Sequence, residues 1–197
     1  MTRSLTAVAV YCASSPGLDP AYALAAESTG ATLARRGIRL VYGGGHVGLM
    51  GVVADATLAA GGEVHGVITR ALAAKEVAHA GLTTLDVVES MHERKMVMAD
   101  NADAFVMLPG GFGTLDEFFE VLTWTQLRIH DKACGILDVG GFWDPLVAQL
   151  DRATDRGLVR PEHRAMVIVD DDVDRLLDRL EGWEPPPTDK LLDRTER

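Results

Sequence analysis

Apolar residues along this chain fall into short unbroken runs, and between the runs lie longer stretches with helical spacing. Residues 7–12 (AVAVYC) form the first run, the pattern of a strand covered on both faces. Pro16 and Gly17 end it, and Asp19-Pro20 then offers an N-cap followed by proline at the first helical position. An alanine-rich helix to residue 36 stops at Gly37. Residues 38–42 make the next strand, 43–45 a loop, and 47–60 a helix ended by Gly61-Gly62. The alternation continues with strands at 64–68, 82–88, 104–108, 133–139 and 166–169 and helices at 90–101, 112–129, 144–156 and 172–180. This spacing predicts an α/β fold, a Rossmann-like parallel sheet flanked by helices on both faces. No break divides the pattern, so residues 1–183 read as a single domain. Residues 184–197, with three consecutive prolines and no apolar period, read as a loosely held tail.

Composition narrows the function. At 197 residues the chain can bury a continuous core, and 47% hydrophobic with 24% charged residues is ordinary for a soluble globular protein. A net charge of -10 excludes an extended nucleic-acid face, but one helix N-terminus and a few cations can still hold a single phosphate. Cys12 and Cys134 sit inside strand runs and read as buried thiols, with neither metal spacing nor a disulfide framework. The N-terminal apolar run is too short to span a membrane and reads as a first strand, not a signal peptide. A cytoplasmic protein with no membrane or nucleic-acid partner is expected.

Ligands of such a sheet bind beyond the carboxyl ends of the strands, where the loops at 13–17, 43–48, 70–80 and 109–114 lie. The second matches the dinucleotide fingerprint, Gly43-x-Gly45-x-x-Gly48, with Glu63 twenty residues beyond Gly43. Position argues against it: Glu63 precedes the next strand instead of ending it, and the loop follows the second strand. These glycines serve another ligand or close packing of helix on sheet. The loop at 109–114 (PGGFGT) is more telling, because pliable backbone, the Thr114 hydroxyl and a helix N-terminus make a seat for a phosphate. No Gly-Lys-Ser/Thr follows, so it is not the nucleoside-triphosphate loop. Asp116 and Glu117 stand in what the pattern makes the first turn. Asp116 reads as a dipole complement; Glu117 faces a different direction, one residue further round, and a carboxylate that points into the site should serve the sugar and not the phosphate. Arg94 and Lys95 in SMHERKMVM are the candidate positive charges, or simply a solvated helical patch.

Taken together, LPGGFGTLDE, MHERK and VYGGGHVGLMG resemble the LOG family, the cytokinin riboside 5'-monophosphate phosphoribohydrolases, often mislabelled lysine decarboxylases. The likeness runs from YCASS through TWTQLRIHDK to GFWDPL. It implies cleavage of the N-glycosidic bond of adenine-type nucleoside monophosphates, giving free base and ribose 5-phosphate, with no cofactor and no metal. It makes Arg94 and Glu117 the catalytic pair. Gly110, Gly111, Phe112, Gly113 and Thr114 become the phosphate cradle. Glu76, Met91, Lys95 and Thr123, with Ser14, Gly43, Gly44, Gly45, Leu115 and Asp116, complete the implied substrate contacts. The resemblance also implies a homodimer whose sites take residues from both subunits. Two positions depart from the family pattern: Ala13 where glycine is common, and Asp116 where a second glutamate is common.

The chemistry suits these groups. Breaking a ribosyl C–N bond builds positive charge on the ring, which a carboxylate can stabilise. A pyridoxal-phosphate decarboxylase would need a Schiff-base lysine, and of Lys75, Lys95, Lys132 and Lys190 only Lys95 stands in a candidate site. A non-catalytic nucleotide carrier is the other alternative. His46 and His92 fall in candidate loops but stay outside the catalytic set.

Overall fold

The computed structural model describes residues 4–76 and 78–186. Its strands are β1 (Ala7–Tyr11), β2 (Arg39–Tyr42), β3 (Val64–Thr69), β4 (Thr84–Val88), β5 (Ala104–Met107), β6 (Ala133–Leu137) and β7 (Val167–Asp170). The helices are α1 (Pro20–Arg35), α2 (Gly48–Ala59), α3 (Arg70–Glu76), α4 (Met91–Asp100), α5 (Phe112–Gln126), α6 (Asp144–Asp155), α7 (Pro161–Arg164) and α8 (Val173–Glu181). The strands form one parallel sheet in the order β4-β3-β2-β1-β5-β6-β7, with Val8 opposite both Leu40 of β2 and Ala104 of β5. The chain winds outward from β1 to β4, then returns to lay β5 on the other side of β1. That reversal is where a doubly wound sheet opens a crevice for ligands.

Period-two alternation divides the core between the faces of the sheet. Val8, Val10 and Cys12 pack in a layer with Leu33 of α1, Val53 of α2 and Leu176 and Leu177 of α8. Ala9 and Tyr11 face the opposite layer, with Met98 of α4 and Phe118 and Val121 of α5. This is the Rossmann-like α/β architecture expected.

The structure differs from the sequence reading in three places. The stretch at 70–80, read as a loop, contains α3. Its alanines and leucine are helix formers with no intervening glycine or proline, and the Thr69 hydroxyl accepts from the Leu72 amide at 3.2 Å. The short α7 also went unread. Third, α5 begins at Phe112 as read, but from that start Asp116 and Glu117 fall in its second turn, not its first, and the first turn holds no acid. Of the tail expected at 184–197, residues 187–197 lie outside the described residues. Among the described residues no helix is long and apolar enough to cross a membrane.

Candidate active site

Arg94 owes its place to the start of α4. Ser90 caps that helix, its hydroxyl accepting from the Glu93 amide at 3.1 Å, while the Glu93 carboxylate reaches back to the Glu89 amide at 2.9 Å. The Ser-x-x-Glu spacing thus fixes the helix origin, and Arg94 falls on the face turned toward the sheet. It is only 5% exposed. Its Nε donates to the Val67 carbonyl at 2.9 Å and its Nη2 to the Gly43 carbonyl at 3.2 Å. A Cβ on Gly43 would run into that Nη2, so the close approach requires glycine. Its Nη1 lies 2.5 Å from Glu117 Oε1, across from α4 to α5.

Burial raises the Glu117 carboxyl above its ordinary value, and the adjacent guanidinium pulls the other way without cancelling the effect. Cys12, beside it in the wall, is pushed up by burial and again by the Glu117 charge, which leaves an inert thiol.

The pair borders a cleft of about 350 Å³ at the carboxyl ends of β1 and β5. Ser14, Met91, Gly111, Phe112, Gly113, Thr114 and Asp116 line it together with Arg94 and Glu117. The N-terminus of α5 opens onto it at Gly111, where no side chain caps the helix. Phe112 is 94% exposed and Thr114 is buried. Gly110 lets the loop close over Thr114, whose side chain occupies the space a Cβ would need. An uncapped, acid-free first turn facing a cleft is a seat for an anion.

Other residues named from the sequence stand elsewhere. Gly43, Gly44 and Gly45 are buried behind Arg94; the Gly44 carbonyl accepts from the His79 amide at 3.0 Å, and Gly45 bridges Ala78. Gly110 and Leu115 are half-buried and do not line the cleft. Thr123 lies three turns along α5, donating to the Phe119 carbonyl at 2.7 Å and lining a separate groove. Lys95 does not line the cleft either, and bridges Asp116 at 3.2 Å and Glu120 at 3.1 Å. Burial alone would lower its ammonium, but these two hydrogen bonds outweigh that and raise it. Glu76 ends α3, and its side chain lies outside the described residues. His46 and His92 do not line the cleft.

Sequence reasoning missed Cys12, Ser15, Met50 and Leu72, which also line it. Ser15 was within reach, as the neighbour of Ser14. Leu72 was hidden by the misread α3, and Met50 by its place inside an ordinary apolar helix.

A crevice at the strand reversal, with an uncapped helix N-terminus beside a buried acid–arginine pair, defines a Rossmann-like domain. The family model described as possible lysine decarboxylase matches residues 50–180. A probable cytokinin riboside 5'-monophosphate phosphoribohydrolase of Oryza sativa subsp. japonica is 47% identical over 182 residues, covering 92% of this chain and 74% of the relative. The enzyme of that name from Rhodococcoides fascians is 47% identical over 168 residues, 85% of each chain. One from Arabidopsis thaliana is 43% identical over 178 residues, 90% of this chain and 82% of the relative. The chain belongs to the LOG family of cytokinin riboside 5'-monophosphate phosphoribohydrolases. Among solved structures, the molybdenum cofactor carrier protein of Chlamydomonas reinhardtii superposes with a TM-score of 0.68 at 18% identity, over 91% of this chain and all (100%) of that one. The molybdenum cofactor binding protein of Rippkaea orientalis gives 0.65 at 17%, over 89% and 94%. At those identities the likeness is one of fold.

Proposed function

We propose that this protein hydrolyses the N-glycosidic bond of adenine-type nucleoside 5'-monophosphates, AMP or cytokinin riboside monophosphates, to free base and ribose 5-phosphate. The names of its relatives support the reaction, and one observation carries it to this chain: the buried Glu117–Arg94 pair sits one turn beyond an uncapped helix N-terminus in a shared cleft. The phosphate seats at Gly111 to Thr114 and orients the sugar, so remote binding energy serves the reacting carbon. As the C1'–N bond breaks, its electron pair leaves with the base and positive charge grows on the ribose ring. Glu117 stabilises that charge and positions the attacking water. The water's hydroxyl ends on C1' and its proton on the base. Arg94 holds Glu117 in place and is too basic to act as the acid.

Replacing Glu117 by Gln should cut adenine release from AMP by a factor on the order of 10²–10³ or more, with the fold intact by circular dichroism. Full turnover in that variant would end the proposal. A carrier is the second reading, favoured by the uncapped α5 terminus, which can hold a phosphate without chemistry. Incubation with AMP separates the two, since a carrier returns the nucleotide whole. Lysine decarboxylation finds no support at Lys95, whose ion-paired ammonium is raised instead of lowered toward a free amine.

The same reading includes a homodimer with shared sites, acting in the cytoplasm. The groove beside α5 that holds Leu122, Leu150 and Val159, and the exposed Phe112 at the cleft mouth, support the pairing. Two buried thiols, Cys12 and Cys134, suit a reducing compartment. A monomeric mass by sedimentation would remove the dimer.

A further inference from the structure

Gly43 supplies one of the two backbone carbonyls that Arg94 holds, so the aim of that arginine depends on what fixes the glycine loop. Three successive glycines have no side chains to wedge them in place, and Gly44 adopts a left-handed φ of 74°. One side of the loop rests on β3, where a Cβ on Gly44 would stand 3.1 Å from Ile68. Elsewhere its backbone pairs with residues 78 and 79. The His79 amide donates to the Gly44 carbonyl at 3.0 Å, and Ala78 forms an antiparallel bridge with Gly45. The His79 imidazole, its side chain only 11% exposed, fastens this pairing from behind. Its Nδ1 accepts from the Gly81 amide at 3.1 Å, so the ring proton lies on Nε2, 2.9 Å from Asp55 Oδ1. Asp55 stands on α2, the helix into which the glycine loop runs. The contacts therefore close a ring: loop, helix, carboxylate, imidazole, and back to the loop.

We propose that His79 is a positioning residue for the hydrolysis. Its hydrogen bond from Nε2 to Asp55 keeps residues 78 and 79 against the glycine loop. The loop keeps the Gly43 carbonyl on Arg94, and Arg94 holds Glu117. His79 does not itself line the cleft and acts only through this backbone route. The role rests on the phosphoribohydrolase reading above.

The test begins at Asp55, whose side chain is 72% exposed and lies outside the cleft, so its loss leaves the fold standing. Asp55→Ala should lower kcat for AMP by roughly three- to tenfold, the worth of one hydrogen bond, with KM and the calorimetric Kd of ribose 5-phosphate within about twofold of wild type. His79→Gln and His79→Asn then separate the two ring nitrogens. The glutamine amide can donate to Asp55 in place of Nε2, and the asparagine oxygen can accept from Gly81 in place of Nδ1. His79→Gln should keep most of kcat, and His79→Asn should lose as much as Asp55→Ala. The reverse order would reduce His79 to a local turn residue, and a loss in His79→Gln as deep as in His79→Ala would also overturn the proposal. In a Gly43→Ala background, where Arg94 is already displaced, Asp55→Ala should cost little more; a full multiplicative loss there would mean another route. Should the His79 variants fail to fold, Asp55→Ala decides. A wild-type protein that releases no adenine defeats the hydrolase reading and this role together; normal wild-type turnover with kcat unchanged in Asp55→Ala defeats this role alone.

Discussion

The helices α2 and α5 both follow glycine-rich loops, and neither carries a side-chain cap. Their first turns have different fates. In α2 the amides of Leu49 and Met50 donate to the Ala13 carbonyl, at 3.0 and 3.4 Å, so the β1 loop takes the place a ligand could occupy. In α5 the residues from Gly111 to Thr114 line the cleft, and among the described residues no acceptor is paired with the amides of Phe112, Gly113 and Thr114. Glycine content does not tell these loops apart. What does is whether the protein has already used the helix N-terminus. The loop at 43–45 supports the site from behind, through the Gly43 carbonyl and the room it leaves for Arg94.

That contrast can be tested most severely at Gly43. Gly43→Ala touches no ligand, yet its Cβ collides with the Arg94 guanidinium. We expect kcat to fall on the order of 10 to 10² with KM for AMP little changed. An effect confined to KM would instead make the loop at 43–45 a ligand loop. Phe112→Pro probes the other terminus. Proline suits the first helical position, and comparison with Phe112→Ala, which loses the same ring at the cleft mouth, isolates the deleted amide. Weakening of ribose 5-phosphate by roughly tenfold, seen in calorimetry with kcat for bound AMP retained, is the expected result. Unchanged affinity would show that this amide holds no phosphate.

The smallest effect concerns pH. The reaction needs Glu117 ionised, and burial raises its pKa, so the acid limb of kcat/KM should lie above the ordinary glutamate value of about 4.3. Activity is then lost as pH falls through that raised value. The neighbouring Asp116 charge pushes in the same direction, so Asp116→Asn should move the limb to lower pH by a fraction of a unit. Movement to higher pH would contradict the sign.

The sheet was readable because buried parallel strands are continuous apolar runs, as residues 7–12 and 104–108 are. Edge strand β4 was blurred at its start, since Thr84, Leu85 and Asp86 are exposed and follow no core pattern. Helix α3 was lost because the expectation of a ligand loop there overrode a composition, RALAAKE, made of strong helix formers. The meeting of Arg94 with Glu117 was available only through family resemblance, for no local pattern relates residues 23 positions apart. The partners of Lys95 were invisible for the same reason. Which loop's amides remain unused depends on the Ala13 carbonyl, a contact between β1 and α2 that no spacing in the chain encodes.

Arg94 has five N–H bonds to give, and the protein claims three: one for Val67, one for Gly43 and one for Glu117. Two remain on a side chain that borders the cleft, and among the described residues nothing accepts them. An oxygen brought into the cleft by the ligand can take the place of water on those donors. Substrate therefore completes the hydrogen bonding of an arginine that the folded chain has already aimed at the cleft.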